Sequence, residues 1–383
     1  MTDSAFTVAE YRRRVASVQD AMAAADLDVL LAHSMASVCY LTGLESFAVH
    51  KYWLAAVPRS GDPILLVQGF ESLNASIGCW ITDVVTYDLQ ADHVTATAEL
   101  LSDRGFDGGR LGIELGPLTS LTPHDYVRLG ELLPRASFTD AAPLISSVRA
   151  IKSAAEIDYM RQAAALSSAG MQAAIDTVAA GKTDNDVAAA AYCTMIGGGS
   201  EYFCYQPIVT VGRRSGIPHS TFQRVEIKPG DAVFMEFGAC IRRYSSPIMR
   251  TVFVGRPPDQ VRRMVDACIA SVDTLIEKIR PGIVAGDLAR QAETQLASVI
   301  EKVIWHGSYC YSVGLGFPPT WADCPEINVT VGSEMVLQAG MVFHCSTSLR
   351  DPGRCGTTCS ETVAVTETGC EVLTSLAREV IVL

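Results

Sequence analysis

"MEFGACIRRYSSPIMRTVFVG", residues 235–255, reads as two strands joined by a tight turn. Glu236 stands at the start of the first strand. The second strand opens with Ser246, Pro247, Ile248 and Met249, so nothing acidic answers it across the hairpin. A carboxylate sent alone into an interior is costly unless it is paired or has a function. The rest of the chain has to supply the reason for it.

A second hairpin of the same kind lies near the end of the chain, "MVFHCSTSLRDPGRCGTTCSETVAV", residues 341–365. Strand alternation puts His344 and Ser346 on one face of its first strand, and Cys359, Glu361 and Val363 on one face of its second. Glu361 interrupts an otherwise apolar run. Each hairpin follows a pair of helical patterns, about residues 154–179 and 184–195 before the first, and 258–278 and 287–303 before the second. Ser153 and Glu156 stand in capping-box spacing and predict where the first of these helices begins. Helices segregated from antiparallel strands describe an α+β domain. The repeated order of two helices and a hairpin hints at an internal duplication.

Before Val148 the pattern differs. A first helix is predicted over about residues 8–25, with Val15, Val18, Met22 and Ala25 on its apolar face. Short strand-like runs follow: "DVLLAH", "HKYWLAAVP", "PILLVQG", "DVVTYD" and "RLGIEL". Helical stretches near residues 91–104 and 124–133 alternate with them, as in an α/β domain. Two domains are therefore expected, 1–148 and 149–383, joined through "AAPLISSVRA". A chain of 383 residues is long for a single core.

Composition narrows the function. Hydrophobic residues make up 49% and charged residues 19%, as in a well-filled globular protein. A net charge of −12 argues against a nucleic-acid partner, which needs a basic footprint. No run approaches the roughly 18 apolar residues of a membrane span. The amino terminus has no apolar stretch before a small-residue cleavage site, and the 12 cysteines are not spaced as a disulfide framework. A cytoplasmic protein with reduced thiols is expected. "GLGF" and "IGGGS" lack the strand and spacing of a phosphate loop.

Polar residues collect in four segments beside glycine, proline or strand ends: "GIPHST" with His219, the hairpin with Glu236, "GSYCYSVGLGFPPTW" with Tyr309 and Tyr311, and the terminal hairpin. In this order they resemble the carboxy-terminal "pita-bread" domain of the creatinase, prolidase and methionine aminopeptidase superfamily. "SSVRAIKSAAEIDYMRQA" is similar to that domain's entry helix, and "SVCYLTGLESF" to the amino-terminal domain of the creatinase and prolidase branch. The resemblance implies a pita-bread domain behind a smaller α/β domain, and a homodimer in which "ESFAVHKYW" covers a neighbouring subunit's site. In the peptidases of this superfamily five side chains hold two metal ions. Carried over, their places fall at Glu236, Pro247, Tyr311, Ser346 and Glu361. Proline has no donor, and tyrosine and serine are poor ligands for divalent ions near neutral pH. The resemblance thus implies no metal and no other cofactor, with His219 kept as an acid/base group.

That combination is similar to creatinase, although Met249 and Ser346 replace the two glutamates that hold creatinase's guanidinium. Ectoine hydrolases are a nearer match, through "EFGACIRRYSSPIMRTVFVG", "YSVGLGFPPTW" and "GMVFH". They imply hydrolysis of a C–N bond in a small zwitterionic amidine. His219, Glu236 and Glu361 would be catalytic, the two acids clamping the amidinium, with Tyr311 or Tyr309 steadying the intermediate. Substrate contacts are expected from His344, Ser346 and Cys359. A basic group for the substrate carboxylate would come from Arg242, Arg350, or His50 and Lys51 of a neighbouring subunit. Three other readings stay open: a creatinase-like or Xaa-Pro peptidase-like enzyme, a non-catalytic binding protein, and nucleophilic catalysis by Cys359.

Overall fold

The computed structural model describes residues 4–383; the first three residues of the amino-terminal stretch read for an export signal lie outside them. The chain divides into two compact units, the second beginning at Ala150.

The first unit is a six-stranded mixed sheet with helices. Its strands are β1 (Val29–Ala32), β2 (Leu54–Pro58), β3 (Ile64–Gln68), β4 (Val84–Tyr87), β5 (Arg110–Ile113) and β6 (Ser137–Asp140), in the order β4-β3-β2-β1-β5-β6. The helices are α1 (Val8–Ala24), α2 (Met35–Thr42), α3 (Ser72–Gly78), α4 (His93–Asp103), α5 (Pro123–Leu132) and α6 (Ala142–Ala150). β1 to β3 are buried almost throughout, which is why they read as continuous apolar runs. α2 and β6 were not foreseen. α2 is eight residues long with six of them buried, so it has no polar face to give a period. β6 is a mostly exposed edge strand with no apolar pattern. The segment expected as a domain junction is helix α6.

The second unit opens with α7 (Ala154–Thr177), whose Ser153–Glu156 capping box is formed, and α8 (Asp184–Gly197). Then come β7 (Ile208–Val211), β8 (Ala232–Ile241) and β9 (Tyr244–Phe253). The second set is α9 (Asp259–Lys278), α10 (Ala285–Glu293), β10 (Ser308–Phe317), the short β11 (Thr320–Ala322) and β12 (Asn328–Thr330), then β13 (Val342–Asp351), β14 (Cys355–Val365), β15 (Cys370–Val372) and β16 (Ile381–Val382). The helix expected over 287–303 ends at Glu293. Its apolar repeat continues through buried Leu296 and Val299, but the chain there forms 3₁₀ turns.

The sheet order is β15-β14-β13-β10-β9-β8-β7. β9 and β10 pair at one position only, Leu315 with Tyr244, so two hairpin sheets meet there. One outer face packs against α7 and α8 through Met235, Phe237 and Ile248; the other packs against α9 and α10 through Phe343, Cys345 and Val363. β9 and β14 are not sheet neighbours, yet side chains tie them together: Thr362 Oγ1 donates to the Pro247 carbonyl, and Thr358 N donates to Thr251 Oγ1. No helix among the described residues is long and apolar enough to cross a membrane.

Candidate active site

The face of the sheet turned away from the helices lines a cavity of about 460 Å³ in the second unit. That volume suits a small ligand. β8 supplies Glu236. Its cross-strand partner Met249 lies beside it, because residues opposite one another in an antiparallel pair share a face. β10 supplies Tyr311, and β13 supplies Ser346, Ser348 and Arg350 at successive even positions. His219 and His306 stand at the rim, and Tyr205 and Trp321, tilted at 51° with centroids 4.8 Å apart, form an aromatic wall.

Glu236 is the acid of this cavity. It is 8% exposed, and burial raises its carboxyl to about 7, with the Arg350 charge pulling the other way. Arg350 acts through space. Its guanidinium donates to the Ser215 carbonyl and lies 3.7 Å from the Phe234 ring centroid. Burial lowers its pKa to about 10, against the opposing pull of Glu236. His306 is pushed well below its ordinary value by desolvation and by Arg350 and His219. His219 is exposed and has a φ of +52°. A histidine tolerates that region better than most residues, at a cost of roughly 1–2 kcal/mol. The cavity therefore presents one acid and one buried guanidinium to whatever enters.

Several expected residues lie elsewhere. Glu361 needs the main correction. It is fully buried beside Cys345 on the helix-facing side of the hairpin, where Arg250 Nη2 donates to it at 2.5 Å, Thr374 Oγ1 donates to it, and Arg378 lies 3.7 Å away. The residue that shares a face with Ser346 is Ser360, one position earlier. A slip of one residue sends every side chain of a strand to the opposite face. Cys359 shares Glu361's face, packs in the core, and has a thiol raised to about 12 by burial, which is the opposite of an activated nucleophile. Tyr309 is also in that core, against Trp305 at 5.1 Å; a register irregularity between Ser308 and Cys310 breaks the alternation that would have aligned it with Tyr311. His344 is fully buried behind Tyr311 and bonds to it rather than facing the cavity. Arg242 forms the β8–β9 turn, its N–H donating to Glu201. His50 and Lys51, expected from a neighbouring subunit, belong to the first unit. His306, Ser348 and Trp321 line the cavity unforeseen, and Ser360 lies fully buried behind it, bonded to His344. Alternation from Ser346 would have found Ser348; His306 has no such signal.

With Ser360 on the face of Ser346, the five places that the resemblance implies fall at Glu236, Pro247, Tyr311, Ser346 and Ser360 in place of Glu361. A single carboxylate with two hydroxyls, a phenol and a proline does not fit a pair of divalent ions. No group of three or more His, Cys, Asp or Glu suited to a metal ion occurs among the described residues.

Comparison with known proteins agrees with this architecture. Residues 158–367 match the profile of metallopeptidase family M24, and residues 14–151 match the creatinase/prolidase N-terminal domain. An ectoine hydrolase of Halomonas elongata is 28% identical, over 98% of this chain and 98% of the relative. An Xaa-Pro dipeptidase of Pyrococcus furiosus is 30% identical, over 62% of this chain and 67% of the relative. Among solved structures, the dipeptidase PepE of Mycobacterium ulcerans superposes with a TM-score of 0.84 at 23% identity, covering 98% of this chain and 99% of that one. The fold is the α+β pita-bread fold behind a creatinase-type domain.

Proposed function

The chain belongs to metallopeptidase family M24, and from that premise we propose that it is a hydrolase of the family that works without metal and opens a C–N bond in a small zwitterionic amidine. Ectoine, opened to an N-acetylated diaminobutyrate, is the leading substrate. The observation that carries the reading is the cavity's charge pattern: Glu236 alone among the former metal positions, with buried Arg350 opposite it in electrostatic sense. An amidinium brings the positive charge that Glu236 lacks, and a substrate carboxylate meets Arg350. The likeness to the Halomonas elongata ectoine hydrolase over almost the whole chain supports this choice.

Binding against Glu236 polarises the amidine carbon. Water adds its oxygen to that carbon while His219 takes its proton. The proton held by His219 passes to the leaving nitrogen and the C–N bond breaks; the hydroxyl hydrogen leaves the new carbonyl oxygen for the freed amine, so the amidinium and one water give an amide and an ammonium. Ionised Glu236 steadies the cationic nitrogen throughout.

The test is an assay of the purified protein against ectoine, hydroxyectoine, creatine and an Xaa-Pro dipeptide, read by mass spectrometry. Ring opening of ectoine is expected, with His219→Ala lowering kcat by about a hundredfold to ten-thousandfold. Dipeptide cleavage would return the chain to the peptidases, creatine turnover would move it to the creatinases, and binding without turnover would make it a binding protein.

A further inference from the structure

Behind the cavity wall runs a chain of hydrogen bonds whose direction follows from counting protons. Trp321 Nε1 has a hydrogen and no lone pair to offer, so at 2.9 Å it donates to the Tyr311 oxygen. His344 Nδ1 lies 2.6 Å from the same oxygen, and His344 Nε2 lies 2.6 Å from Ser360 Oγ. Burial pushes the imidazole down to about 3, so it is neutral and holds one N–H. Two polarities are then open.

With the hydrogen on Nε2, His344 donates to Ser360, and the hydroxyl hydrogen of Ser360 has no acceptor among the described residues. Ser360 is 0% exposed, so water does not relieve it. A buried donor left unmatched costs about 1–3 kcal/mol. With the hydrogen on Nδ1, Ser360 donates to Nε2 and Nδ1 donates to Tyr311, so the hydroxyl left without a protein acceptor is that of Tyr311, which is only partly buried and lines the cavity, where water or a ligand can accept it. The second arrangement is favoured about fivefold or more. The Tyr311 oxygen then accepts two hydrogens, from Trp321 and from His344. Its own hydrogen can turn only toward the cavity that Tyr311 lines.

We propose that Tyr311 is a hydrogen-bond donor fixed by Ser360, His344 and Trp321, and that the bound molecule presents an acceptor oxygen to it. Resting on the amidine hydrolysis above, that oxygen is the one water delivers to the amidine carbon. The hydrogen bond strengthens as the tetrahedral carbon collapses to the amide, and no proton leaves the phenol. The cavity would then fix the substrate's orientation from two sides, with nitrogen on Glu236 and oxygen on Tyr311. Tyr311 is a catalytic residue in this scheme, and His344, Ser360 and Trp321 are positioning residues.

Long-range ¹⁵N–¹H NMR of the ¹⁵N-histidine-labelled full chain, without ligand, reads the tautomer directly. His344 is assigned as the signal set lost in His344→Gln or, where that variant does not fold, displaced in Tyr311→Phe. The expected result is Nδ1 protonated; Nε2 protonated overturns the inference whether or not ectoine is hydrolysed. In kinetics on ectoine, Tyr311→Phe should lower kcat by about 10²–10³ with little change in KM, as for a lost oxyanion donor. Ser360→Ala should lower kcat less, and Ser360→Thr should restore it. Tyr311→Phe at the wild-type rate overturns the catalytic role. If Nδ1 is protonated and the wild-type protein leaves ectoine intact, the functional reading falls and the fixed donor stands.

Discussion

Glu236 and Glu361 sit on the two hairpins of the same unit, both buried, and the protein treats them in opposite ways. Glu361 accepts from Arg250 and Thr374, with Arg378 close by, and is a tie between β14 and β9. Glu236 faces the cavity, and among the described residues the charge that lowers its pKa is Arg350, acting through space. One acid is satisfied by the fold; the other is the one we propose meets a ligand. Burial alone does not distinguish structural from functional carboxylates, whereas the partners around them do.

The sharpest way to break this contrast is to neutralise Glu361. Glu361→Gln leaves the buried Arg250 guanidinium without its counter-charge, and losing one member of such a pair costs about 3–5 kcal/mol. A large loss of stability in urea melts is expected. A variant as stable as wild type, with only KM raised, would make Glu361 the substrate clamp after all.

Glu236→Gln should do the reverse. Folding raises this carboxyl from its ordinary 4.5 to about 7. The folded state therefore holds its proton more tightly than the unfolded chain, and the associated stability is full below 4.5 and lost as pH rises to about 7. Glu236→Gln should accordingly be stabilised relative to wild type at pH 8 and not at pH 4. In activity, wild-type kcat/KM on a cationic substrate should rise with pH through about 7, as the carboxylate forms. The variant should lack that limb and have a much lower plateau. A limb that persists in Glu236→Gln assigns it to another group.

The contrast also marks what was legible in the chain. Both hairpins, the α7 capping box and most strands of the first unit follow from periodicity, because amphipathic or fully buried segments carry their pattern in the sequence. Glu236 was legible as an acid without a cross-strand answer. Glu361 was misplaced because alternation says which residues share a face without saying which face is the cavity. Ser360, the residue that does face Ser346, has nothing in its side chain to draw attention. Arg250 lies in the same quoted hairpin as Glu236, but its bond to Glu361 spans 111 residues. That pairing exists only once β9 and β14 are brought together.

A smaller effect concerns the first unit. Phe47, Phe70 and Leu73 are 73%, 87% and 67% exposed there, apolar surface left in water. We propose that a second copy of the chain covers part of it. Light scattering at micromolar concentration should give a dimer, and Phe70→Ser with Leu73→Ser should weaken it. A wild-type monomer with full activity would contradict the dimer without touching the contrast between the two acids.

The central claim is that Glu236 faces a cation carried by the substrate and not a metal ion. Its most direct measurement is ectoine turnover before and after exhaustive chelation, with metal content determined on the same samples. The account predicts no stoichiometric divalent metal and the same rate in both. Activity abolished by the chelator and restored by manganese, zinc or iron would contradict it.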